Sequence, residues 1–456
     1  MKEYIVELSK YFICALMVFY TLSCFYALPH AAENRKRPVY IVQNLIMLLM
    51  QVFCFANLVV LSDELQYFFL FGFVEIFLLI VVTLVPAIYE DCNRQLLNNM
   101  SMLLGIGLMM VSRLSYTKAI RQYVSVLISL IICLLLPYLF TKVRFLKKIT
   151  WLYAAIGIGC LSAVLIIGNV THGANISMEI AGVTFQPSEF VKILFLFFLA
   201  GALWEDTSFL RVAITAVLAG IHVIILVLST DLGSALIFFV AYVLVVFVAT
   251  KNYLYLFAGA VGGSAAAVLA YKLFAHVRIR VLAWRDPWSY IDNQGYHITQ
   301  SLFAVGSGSW FGMGLLKGNP TVIPYVSADF IFSSICEELG VIFGICLILI
   351  CINCFLVIML ISLRIYDRFY QLLVYGIGAM YIFQIFLTIG GGIKFIPLTG
   401  VTLPFISYGG SSVMSTMIMF FVIQGIFMRL QQEKTKHNVP HSGQEGAVHS
   451  GKTGKK

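Results

Sequence analysis

Apolar runs of about 18 to 22 residues recur along the whole chain, and this repeat constrains its fold more than any other feature. Each run is long enough to cross the hydrocarbon core of a bilayer as a helix, a distance of about 30 Å at about 1.5 Å per residue. A water-soluble domain of 456 residues has no core large enough to hide 61% hydrophobic residues at a mean hydropathy of +0.94. The sequence therefore predicts an all-α polytopic membrane protein. About thirteen transmembrane helices are expected, near 11–28, 40–61, 67–88, 98–113, 123–140, 150–169, 189–204, 210–229, 232–249, 253–273, 330–362, 370–390 and 403–428. The first is preceded by "MKEYIVELSK" and carries no small-residue cleavage site, so it reads as a span and not a signal peptide.

The net charge of +9 points to membrane topology and gives no reason to expect nucleic acid as a partner. The basic residues collect in "ENRKRP" (33–38), "TKVRFLKK" (141–148), "SLRIYDR" (362–368) and "RLQQEKTKH" (429–437). Thirteen spans put all four on one side, the cytoplasmic one by the positive-inside rule. The N-terminus and the loops 170–188, 274–329 and 391–402 are then extracytoplasmic. The Gly/Ser-rich tail, 431–456, is expected to be disordered and cytoplasmic. Of the ten cysteines, most lie within apolar runs, as small buried hydrophobes do.

Loop 274–329 is too rich in aromatic residues for a connector, with Trp284, Trp288, Tyr290, Tyr296 and Trp310. Amphipathic segments at the membrane interface suit such rings. Charged residues at membrane depth mark functional sites by default, and four stretches qualify. In "FQPSEFVK" (185–192), Glu189 and Lys192 share a helix face, as an interface ion pair, a substrate contact or both. Asp231 in "STDLGSAL" suits a helix cap. "FIPLTGVTLPFISYGGSS" (395–412) has the prolines and glycines of a broken helix lining a cavity. Asp329 stands at the start of "DFIFSSICEELG", either as a cap or as a general base or metal ligand facing a partly dry cavity.

These stretches, with "RV…DP…GYHITQSLFAVGSGSWFGMG" between them, occur in the order seen in the SEDS family, the FtsW/RodA/SpoVE membrane proteins of bacterial wall synthesis. The chain resembles that family over roughly 98–430, about ten spans, leaving an additional N-terminal region of about three spans, 1–97. The resemblance implies a peptidoglycan glycosyltransferase of the cytoplasmic membrane that polymerises lipid II at its outer face. It also implies a class B penicillin-binding protein as the crosslinking partner, in elongation, division or sporulation. The aspartate of the "DFIF" motif is the family's essential carboxylate and falls on Asp329, acting directly or through Mg²⁺ or Mn²⁺. Arg280 matches the arginine of the "RV" motif and, with Lys192, is placed to stabilise the diphosphate leaving group. Glu189, Gln300, Ser301 and Ser411, from the same motifs, complete the expected substrate-binding set. The chain departs from the family pattern at Tyr325 after Pro324, at Thr388 after Gln384, and at "ISMEI" upstream of "QPSE". A lipid II flippase and a non-catalytic scaffold of the wall-synthesis complex are the competing readings.

Overall fold

In the computed structural model the structure describes residues 2–28, 33–143, 145–171, 174–180 and 183–437. The remainder of the expected tail, 438–456, lies outside the described residues. The chain begins with α1 (Lys2–Tyr26), α2 (Glu33–Ser62) and α3 (Gln66–Ile88). It continues through α4 (Arg94–Leu114), α5 (Tyr116–Lys142) and α6 (Thr150–Ile167). After α7 (Pro187–Leu203) come α8 (Phe209–Leu228), α9 (Leu232–Thr250) and α10 (Tyr253–Leu273). The last third holds α11 (Ala275–Arg285), α12 (Tyr296–Gly308), α13 (Ile331–Leu339), α14 (Val341–Leu363), α15 (Arg368–Gly392) and α16 (Gly410–His437).

Eleven of these helices are long and apolar enough to cross a membrane. The two other expected spans are present as α6 and α7, of 18 and 17 residues. Between them the chain forms a small antiparallel sheet in the order β1 (Asn169–Thr171), β2 (Ala174–Ile180), β3 (Val183–Phe185), an addition to the helical plan.

Several helices start earlier than expected, α1 at Lys2, α2 at Glu33 and α5 at Tyr116, and two further differences bear on the site. The run 330–362 is two helices, because Gly340 has φ +91° and separates α13 from α14. A Cβ there would meet the backbone of Trp310–Gly312, so only glycine allows the approach. The last span begins at Gly410, not near 403, and residues 393–409 form an irregular segment whose Val401, Leu403, Phe405 and Ile406 are buried. Loop 274–329 is largely ordered, with α11 and α12 within it.

Every residue in the apolar window of α4 is buried, which places that helix at the centre, whereas α10 has no buried residue. A helix so enclosed must satisfy its own polar side chains. Gln95 Nε2 donates to the Cys24 carbonyl at 2.7 Å and to Asn353 Oδ1 at 2.8 Å. Asn99 Nδ2 donates to the same Asn353 oxygen at 2.9 Å, and Tyr20 donates its hydroxyl to Asn99 Oδ1 at 3.2 Å. Asn98 Nδ2 donates to Gln43 Oε1 at 3.1 Å. The first two helices are thus fastened to α4 and α14 by buried amides as well as by apolar packing.

Candidate functional site

The irregular segment before α16 fixes the chain around Asp329. Tyr408 N donates to the Ser327 carbonyl at 2.7 Å, and the Ser407 hydroxyl donates to the Ala328 carbonyl at 2.5 Å. From α5, Lys118 Nζ donates to Ser327 Oγ at 2.9 Å, while Gln122 holds the Ser407 carbonyl and the Gly409 N–H at 3.1 Å each. Ser327 and Ser407 are buried, so these bonds are shielded from water.

Asp329 itself is not a helix cap. Helix α13 starts after Phe330, and no side chain caps it. Among the described residues no hydrogen bond or ion pair reaches the Asp329 carboxylate, which is partly buried. Burial pushes its pKa up from 3.8 to about 6, against the pull of the Arg280 charge. A carboxylate in that range is ionised at neutral pH yet basic enough to accept a proton.

Arg280, on α11, approaches from the other side. Its Nη1 donates to the carbonyls of Thr399 at 3.0 Å and Leu398 at 3.4 Å. Gly400 follows with φ +76°, and a Cβ on it would lie 3.8 Å from Arg280 Nη2 and 3.9 Å from Asp329 Oδ2. The guanidinium and the carboxylate therefore border the same space, left open by the missing side chain of Gly400. Burial draws the Arg280 pKa down, and the charges of Asp329 and Asp231 oppose that shift. Asp231 caps α9 as expected, accepting from Ser234 N at 3.0 Å and from the Ser188 hydroxyl at 3.4 Å. Its pKa is raised, first by burial.

Glu189 and Lys192 meet as the helical spacing requires, Oε2 to Nζ at 2.7 Å. Both are buried, 6% and 1% exposed, so the pair is internal and not an interface anchor. The Ser415 hydroxyl donates to Glu189 at 2.8 Å, and Lys192 donates to Gln384 Oε1 at 2.9 Å. Gln384 Nε2 and the Thr388 hydroxyl then hold the Thr402 carbonyl at 2.9 and 3.2 Å. The pair thereby joins α7 to α15, to α16 and to the irregular segment that flanks Asp329. Ser411 Oγ accepts from Gln186 N at 3.1 Å and closes the same junction.

The other expected contacts are placed differently. Ser301 is fully buried and bonded to Ser333 Oγ at 2.5 Å and to the Gly392 carbonyl at 2.7 Å, a tie between α12, α13 and α15. Gln300 beside it is partly exposed. Glu338 pairs with Arg113 at 2.8 Å, and Glu337 accepts from Asn319 N at 2.8 Å, so both glutamates brace the loop 309–320 and not the Asp329 side chain. Among the described residues no three His, Cys, Asp or Glu side chains converge as metal ligands. Asp329 alone suits the Mg²⁺ mode in which a carboxylate shares the ion with substrate phosphates.

Lys118, Gln122 and Ser327 were invisible as site residues because their role depends on contacts more than 200 positions apart in sequence. His297, within the "GYHITQ" motif, was not singled out as a site residue. Its ring stacks on Phe330 at 6.4 Å, next to Asp329, and its buried Nδ1 has no hydrogen-bond partner.

Comparisons with known proteins show which family the chain is similar to. The family model of the FtsW/RodA/SpoVE cell cycle proteins matches residues 94–435. "Peptidoglycan glycosyltransferase RodA" of Mycobacterium leprae is 31% identical over 73% of this chain and 77% of its own length. "Probable peptidoglycan glycosyltransferase FtsW" of Pseudoalteromonas translucida is 30% identical over 74% of this chain and 89% of its own. Among solved structures, a chain from a peptidoglycan synthase complex that coordinates polymerisation and crosslinking superposes with a TM-score of 0.65. It is 25% identical and is 99% covered, by 75% of this chain. The rod shape determining protein RodA of Thermus thermophilus superposes at 0.55 with 23% identity, over 74% of this chain and 96% of its own.

Proposed function

Because the chain belongs to the FtsW/RodA/SpoVE family of cell cycle proteins, we propose that it is a peptidoglycan glycosyltransferase polymerising lipid II in the bacterial cytoplasmic membrane. The observation that carries the reading is Asp329: a partly buried carboxylate with a raised pKa and, among the described residues, no hydrogen bond or ion pair, with an arginine bordering the same glycine. Asp329 takes the proton from the sugar hydroxyl of the acceptor as that oxygen attacks the anomeric carbon of the donor. The bond from that carbon to the diphosphate oxygen breaks, and undecaprenyl pyrophosphate leaves. Arg280, with its Nη2 towards the gap, supplies positive charge to the departing diphosphate. Lys192 is already satisfied by Glu189 and Gln384, which supports an orienting role for it. Bound at Asp329, a divalent cation would add positive charge near that diphosphate.

The basic loops lie at the span ends opposite Asp329, which supports an extracytoplasmic site and cytoplasmic tail. The likeness to a synthase-complex chain supports a class B penicillin-binding protein as partner. The test is purified protein in vesicles with labelled lipid II, with and without such a partner. Glycan chains lengthening with time are expected. Lipid crossing the bilayer without lengthening would replace this reading with a flippase, and neither activity would leave a scaffold.

A further inference from the structure

At the end of the bundle away from Asp329, the molecule holds a cavity of about 1020 Å³. Helix α4 separates the two ends: Arg113 sits beside loop 309–320, while Arg94 lines the cavity, some 30 Å away at about 1.5 Å per residue. The walls come from the ends of α1, α2 and α3, the α3–α4 turn, and the ends of α14 and α16. The N-terminal helices thus form one side of it and the family-matched region the other.

Four cationic side chains line the cavity, from two helices and one helix end: Lys36 and Arg37 of α2, Arg94 of α4, and Arg364 at the end of α14. Glu90 and Asp91 line the same wall, yet among the described residues none of the four cations is ion-paired. Basic residues near span ends follow from topology alone. Topology does not explain why residues more than 300 positions apart gather on one half-open cavity. The wall also carries apolar side chains, among them Leu28, Pro86, Ile361 and Phe427, beside the amides of Asn93, Gln95 and Gln431. It is also braced: Gln424, on α16, accepts from Asn93 N at 2.8 Å and donates to the Asn93 carbonyl at 3.0 Å. Asn93 in turn caps α4.

We propose that this cavity binds the phosphate headgroup of an anionic phospholipid, with the cations on the phosphate and the apolar wall against the upper acyl chains. Basic pockets between span ends suit such headgroups, and a guanidinium without a carboxylate partner is the side chain that binds phosphate in two-pronged fashion. The N-terminal helices would then make the bundle responsive to the lipid around it.

The test uses the full-length protein and measures retained lipid by native mass spectrometry, with phosphatidylglycerol, phosphatidylcholine and inorganic phosphate as probes. Phosphatidylglycerol should saturate one site and phosphatidylcholine should not. Arg94→Gln and Arg364→Gln should each weaken that binding about five-fold, while Arg94→Lys retains most of it and Lys142→Gln, outside the cavity, changes nothing. Equal retention of the two lipids would overturn the proposal, as would an equal effect of Lys142→Gln. Competition by inorganic phosphate at the same concentration would reassign the cavity to a soluble phosphate compound. Should Arg94→Gln fail to fold, the exposed Arg37→Gln serves in its place with the same expectation.

Discussion

Asp329 carries two opposed demands, and they can be separated by measurement. Burial raises its pKa to about 6 in the folded protein, above the value of about 3.9 for an unfolded chain. The folded state therefore holds the proton more tightly, so stability falls as pH rises from about 4 to about 6 and stays lower above that. Asp329→Asn removes this ionisation. The variant should unfold at a higher temperature than the parent at pH 8, with the gap closing towards pH 4; a lower unfolding temperature at pH 8 would contradict the burial account. Arg280 opposes the shift, so Arg280→Gln should raise the Asp329 pKa further and move the acidic limb of the pH–rate profile to higher pH. An unmoved limb would remove Arg280 from contact with the reacting carboxylate. The sequence made Asp329 and Asp231 legible because charge next to apolar runs is rare and costly, whereas Arg280 was legible only through the family resemblance of its "RV" motif. The sequence left open whether Asp329 caps a helix, since that depends on a start at Ile331 that no residue pattern announces.

Among the elements, α7 illustrates what periodicity delivers and what it does not. The i,i+3 spacing placed Glu189 and Lys192 on one face, and they pair. That the pair is closed off by Gln384 and Ser415 follows from α15 and α16 packing over it, which the local sequence does not encode. Removing one member leaves a buried, uncompensated charge, a loss of roughly 3–5 kcal/mol. Glu189→Gln and Lys192→Met should therefore each destabilise strongly, while the double variant costs less than the two together in thermal unfolding and in polymerisation. Strict additivity would mean the two act separately. The run 330–362 shows the opposite failing: it reads as one long span because hydropathy does not register the positive φ of Gly340, which only its contact with Trp310–Gly312 explains.

For the whole molecule, hydropathy revealed the spanning helices but not α11, α12 or the α13–α14 break, and the way the N-terminal helices join the rest was hidden in scattered amides. Asn353, on α14, accepts from Gln95 and Asn99 and donates to the Cys24 carbonyl at 3.1 Å. Asn353→Leu leaves the buried Asn99 Nδ2 without its acceptor, at about 1–3 kcal/mol, and takes one of two bonds each from Gln95 Nε2 and the Cys24 carbonyl. It should loosen α1 and α2 from α4, seen as faster amide hydrogen exchange in those helices, with protection around Asp329 unchanged. Equal loosening at both ends would mean that the N-terminal helices also support the site. The account as a whole rests on a negative charge at position 329, and one comparison reaches it directly: glycan formed from lipid II by the parent protein and by Asp329→Asn, both reconstituted at equal amounts. The variant should insert normally and lose roughly 10²-fold or more in turnover, whereas polymerisation near the parent rate would contradict the central claim.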